Sequence, residues 1–193
     1  MKAALKVIDY ALIKARDKEE IRKMVSACQA PPNGTGIFLL DLGNDSAQQC
    51  LIDKQVIDTQ MITYFEQSES VKQQDFRDGN YKGMIDTFEI TLDDEVQGTH
   101  ILPSALYECK TELSAIIATC DAITTDISAQ LNPQGAKIAS GTSDSSLKIG
   151  LQSSKIPAWE PTTPPHMDTG LLTLTFYDVA SMEIAVPSDS KEQ

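Results

Sequence analysis

The spacing of apolar positions divides the chain into strand-like and helix-like stretches before any chemistry is considered. "LKVID" (5–9) is a short strand candidate. In "DKEEIRKMVSACQA" the residues Ile21, Met24, Val25 and Cys28 recur at helical spacing, with Asp17 placed to cap and acidic residues in the first turn. "PPNGTG" (31–36) breaks that helix, and "GIFLLDL" (36–42) predicts a second strand, apolar enough to be buried. A second helix follows in "NDSAQQCLIDKQVIDTQMITYFEQ", with Ala47, Leu51, Ile57, Met61 and Phe65 roughly on one face.

The next stretch is polar and mixed, with a strand expected around "DTFEI". The most periodic segment is "SALYECKTELSAIIATCDAITTDISAQL". Its residues Leu106, Cys109, Leu113, Ile116, Cys120, Ile123, Ile127 and Leu131 step by three and four, which predicts a long amphipathic helix whose stripe serves core packing. After "NPQGA" the character changes. "SLKIGLQ", "LLTLTFY" and "MEIAV" are short strand-like pieces separated by Pro, Gly and Ser, which reads as an antiparallel β region. No internal repeat is evident, and the closing "PSDSKEQ" is a polar tail.

Composition narrows the classes of function. The chain has 193 residues, enough for one domain that buries roughly 70% of its unfolded surface without disulfides. Acidic residues outnumber basic ones, 28 to 16, and the net charge is −12. Such a surface repels nucleic acid and anionic membranes, so neither is expected as a partner. Cys28, Cys50, Cys109 and Cys120 show no C-x-x-C spacing and fall on or near helical apolar stripes, so buried free thiols are expected. No segment has the roughly 20 apolar residues of a membrane span, nor the apolar run of a signal peptide; a reducing, cytoplasmic location is the expectation.

The candidate chemistry lies in "TPPHMDTGLLTLTFYD" (162–177), where His166 and Asp168 stand two apart just before an apolar run. In a strand such residues point to the same face, so an imidazole and a carboxylate could be offered to one cation. Non-haem iron oxygenases combine this pair with a second histidine to cap one face of Fe(II).

The stretch "PPHMDTGLLTLTFYD" resembles the signature strand of the 2-oxoglutarate/Fe(II)-dependent oxygenases, especially the isopenicillin N synthase-like branch. "LKVIDYA", "EIRKMVSACQA" and "GIFLLDL" look like that family's opening strand, helix and Gly-Phe-Phe strand. "FRDGNYKGMIDTFEITLDDEVQG" is similar to the segment with a Lys-Gly turn and a Phe-Glu strand, and "ILPSALYECKTELSAII" to the Leu-Pro turn that leads into the long helix. The resemblance covers nearly the whole chain in family order. It implies an α+β fold, with an N-terminal oxygenase-like α/β region and long helix (1–135) packed on partial jelly-roll strands of a double-stranded β-helix carrying H-x-D (136–187), then the polar tail (188–193).

The chain also departs from the family pattern. The family's second iron-binding histidine lies some tens of residues after H-x-D, followed by an Arg-x-Ser that anchors 2-oxoglutarate. Here Gln193 follows Asp168 by 25 residues, no histidine comes after His166, and the only other one, His100, precedes the motif. A cosubstrate tyrosine expected near "SLKIGLQSSKIP" is absent as well. The family reading is therefore of a C-terminally truncated, degenerate oxygenase of small-molecule (secondary metabolite) biosynthesis. It would hold Fe(II) weakly at most, through His166 and Asp168, with no 2-oxoglutarate anchor and no resident cofactor.

A sheet missing strands leaves the edge of "LLTLTFY" unpaired, which calls for a partner: a full-length oxygenase, or a second copy of the chain. The first functional expectation is a non-catalytic subunit docked on such an oxygenase. The second is a stand-alone, metal-independent cyclase or isomerase acting on a small molecule. There His166 and Asp168 would form the acid/base pair, assisted by Glu160 and Tyr177. A remnant without activity and an iron enzyme completed by a further ligand are the remaining alternatives. Trp159, the sole tryptophan, stands in "KIPAWEP", where it packs a loop or lines a pocket.

Overall fold

The computed structural model describes residues 5–29, 33–43, 46–72, 87–91, 104–133, 146–150 and 172–176. Among them the protein is α+β, built from helices and two small two-stranded sheets. It divides into two compact units that interleave along the chain. One comprises residues 1–48, 124–136 and 171–193, the other residues 49–123 and 137–170. No jelly roll is formed among the described residues, and no described helix is long and apolar enough to cross a membrane.

The first unit opens with β1 (Lys6–Asp9), which runs straight into α1 (Tyr10–Lys14). Asp9 serves both elements: it ends the strand, and its carboxylate caps the helix by accepting the Leu12 N–H at 3.1 Å. Two backbone bonds close α1, from Arg16 N–H to the Ile13 carbonyl and from Asp17 N–H to the Leu12 carbonyl, with Arg16 at φ 58°. This is a Schellman-type stop with arginine in the left-handed position that glycine usually takes.

α2 (Lys18–Cys28) starts as expected, the Asp17 carboxylate accepting from Glu19 N–H at 3.0 Å and Glu20 N–H at 2.9 Å. Its inward face differs from the expected stripe. Glu20, Met24 and Ala27 are buried, whereas Val25 is exposed and Ile21 and Cys28 are half-buried. The reason is polar. Glu20 turns inward to accept the Asp9 N–H at 2.7 Å while Lys23 pairs with it at 3.0 Å, so a carboxylate takes part of the face that apolar spacing assigned to Ile21.

β2 (Phe38–Asp41) lies parallel to β1, with Lys6 opposite Phe38 and Asp9 opposite Asp41. Parallel neighbours need a crossover, and α1 and α2 supply it. Both helices pack on β1, and Ile8, Ile13 and Met24 are fully buried. The expected burial of β2 is corrected here: it alternates half-buried and exposed, with Leu39 53% exposed opposite Val7 at 47%. One helical layer covers one face of the pair, so the alternate side chains stay outside.

In the second unit α3 (Gln49–Phe65), entered from a 3₁₀ turn at Ser46–Gln48, buries Cys50, Asp53, Ile57, Met61, Tyr64 and Phe65. Leu51, expected inside, is exposed. The helical repeat explains it: seven residues separate Cys50 from Ile57, close to two full turns, while Leu51 is rotated by about 120° from Ile57. α4 (Glu69–Lys72) follows.

β3 (Thr87–Thr91) and β4 (Ser146–Gly150) form an antiparallel pair, Thr87 opposite Gly150 and Thr91 opposite Ser146. Both strands fall on stretches the sequence marks as strands. The long helix is interrupted once. α5 (Ser104–Tyr107) stops at a turn before α6 (Lys110–Leu131), with Cys109 N–H bonded to the Leu106 carbonyl and Leu113 N–H to the Cys109 carbonyl. The expected stripe otherwise holds: Leu106, Cys109, Leu113, Ile116, Ile123 and Ile127 are buried and Cys120 is half-buried. The last turns of α6 belong to the first unit, where Tyr10 Oη donates to Asp126 Oδ2 at 2.8 Å.

Candidate functional site

The described residues reach the edge of the candidate site. His166 and Asp168 lie outside them, as do His100, Trp159, Glu160 and Tyr177. Of the apolar run behind H-x-D, residues 172–176 are described. Their side chains alternate, Leu172, Leu174 and Phe176 half-buried and Thr173 and Thr175 exposed, in the period of two that the sequence reading assigned. Among the described residues they join no hydrogen-bonded ladder, so the strand expected there is not formed at 172–176. Alternation is a property of side chains, whereas a ladder also needs a neighbour in register.

Around the cysteines the chemistry is that of a core. All four are free, Cys50 and Cys109 buried, Cys28 and Cys120 half-buried. Burial pushes every thiol up from its ordinary value, because it disfavours the thiolate. Asp53 adds to this at Cys50 and Glu112 at Cys109. Cys120 is pushed up to about 12, first by burial and then by Cys50. A thiol held protonated is a poor nucleophile and a poor metal ligand.

A pH dependence follows. The folded state holds these protons beyond the ordinary thiol value of 9.0, so the contribution is complete below that pH and lost as pH rises from 9.0 toward 12. In thiol titration at neutral pH the native protein should react slowly, and in urea all four groups rapidly. Urea midpoints should fall across the alkaline window. A thiol titrating near neutrality in the native chain would contradict the picture.

Among the described residues two carboxylates are buried, and apolar spacing gave no hint of either. Glu20 is held by the Asp9 N–H and Lys23. Asp53 accepts from Gln49 Nε2 at 3.1 Å, one turn earlier on α3. Each has a hydrogen-bond partner and bonds like a structural group, not like an acid waiting for substrate. Among the described residues no three His, Cys, Asp or Glu side chains converge as a metal site would require; both histidines of the chain lie outside that set. No family model, curated protein or solved structure matches the chain.

Proposed function

We propose that this chain is an oxygenase-like protein of small-molecule biosynthesis that works as a non-catalytic subunit beside a full-length 2-oxoglutarate/Fe(II) oxygenase in the cytoplasm. The observation that carries the reading is the order of elements. β1, α2 and β2 follow one another as a strand–helix–strand opening, with Phe38 of "GIF" starting the second strand. β3 then falls on Phe88-Glu89, α5 and α6 follow Leu102-Pro103, and β4 falls on "SLKIG" ahead of H-x-D. This is the order that the resembling segments have in the oxygenase family. Whether β4 and the segment around Leu174 belong to a partial double-stranded β-helix is part of the proposal.

The donor set argues for a borrowed iron centre and against a resident one. His166 and Asp168 give one imidazole and one carboxylate, and a facial triad needs a second imidazole. The other histidine, His100, precedes the motif by 66 residues. Arginine, the usual bidentate anchor for a dicarboxylate, is found only at Arg16, Arg22 and Arg77. The residues present do not fit a complete iron and 2-oxoglutarate site. The proposed role for this chain is then to steady a companion enzyme or shape its pocket.

The test is an anaerobic titration of the isolated chain with Fe(II) and 2-oxoglutarate, then admission of O₂. The expected result is no stoichiometric iron uptake and no succinate, while a larger oxygenase co-purifies with the chain from its native host. One tight equivalent of iron with succinate release would overturn the proposal. Turnover of a small molecule that survives chelator and exclusion of O₂, yet is lost in His166→Ala, would assign the metal-free acid/base role instead.

A further inference from the structure

We draw no further inference here: the strongest candidate, the outer face of the β1–β2 sheet where exposed Val7 stands opposite exposed Leu39, is an unpartnered apolar face, and nothing in the structure shows what covers it.

Discussion

Gly34→Ala is expected to lower the stability of the fold by about 3 kcal/mol or more, seen as a drop in the urea midpoint. The residues just past α2 fold back over its last turn. Thr35 N–H and Gly36 N–H both donate to the Ala27 carbonyl, at 3.2 and 3.0 Å, and Gly36 N–H also approaches the Gln29 carbonyl at 3.2 Å. These bonds satisfy carbonyls that the end of a helix leaves without partners. They bring Gly34 so close that an added Cβ would stand 2.4 Å from the carbonyl oxygens of Ser26 and Gln29 and 2.8 Å from that of Ala27. All three obstacles are backbone and cannot swing aside. Relieving the clash means lifting the loop away, and three hydrogen bonds at about 1 kcal/mol each go with it.

Gly36→Ala supplies the comparison. Gly36 has φ +73° and open space where its Cβ would go, so the cost there is only the left-handed backbone, about 1–2 kcal/mol. Equal losses in the two variants would mean that the loop does not sit on α2. The loop leads directly into β2, so its displacement would also disturb the strand–helix–strand opening on which the proposed kinship rests.

What could be read from the chain was whatever is settled within a few residues. Asp17 caps α2 because a carboxylate before a helical pattern has its N–H partners next to it. β1, β3 and β4 sit on the short runs with β-branched residues that the sequence marks as strands. Glu20 and Asp53 were missed because a carboxylate beside an apolar stripe reads as solvent-facing until the tertiary partner of Glu20, the Asp9 N–H, is in place. The pairing of β3 with β4 was equally hidden. The intervening residues, 92–145, include a helix of six turns, and alternation within a strand says nothing about which neighbour it takes.

The candidate pair is a reading of the sequence alone: His166 and Asp168 stand two residues apart and lie outside the described residues. The sequence could not say whether the run behind them is laddered. Leu172, Leu174 and Phe176 keep the alternation while pairing with none of the four strands. The same limit holds for α3. Its apolar residues on both sides blur the periodicity, so the pattern alone put Leu51 inside, and only the packing of Cys50 and Ile57 separates the core face from the exposed one.

Ile8→Ala is expected to destabilise the first unit by about 2–5 kcal/mol, whereas Val7→Ala, one residue earlier on the same strand, should cost less than about 1 kcal/mol. A two-stranded sheet has little stability of its own. β1 and β2 persist because one face packs under α1 and α2, where Ile8, Ile13 and Met24 exclude water completely. Removing three carbons from Ile8 forfeits their burial and opens a cavity among side chains that are fixed by capped helices and cannot collapse into it. Val7 points to the other face, opposite Leu39, and half of it already meets solvent. Urea denaturation of the two variants measures the difference directly. If Val7→Ala proved as costly as Ile8→Ala, the outer face of β1 and β2 would have to be packed in solution, most simply by a partner laid over Val7 and Leu39. A wide gap between the two variants means instead that the helical layer alone holds the strands, and with them the opening from which the oxygenase-like reading begins.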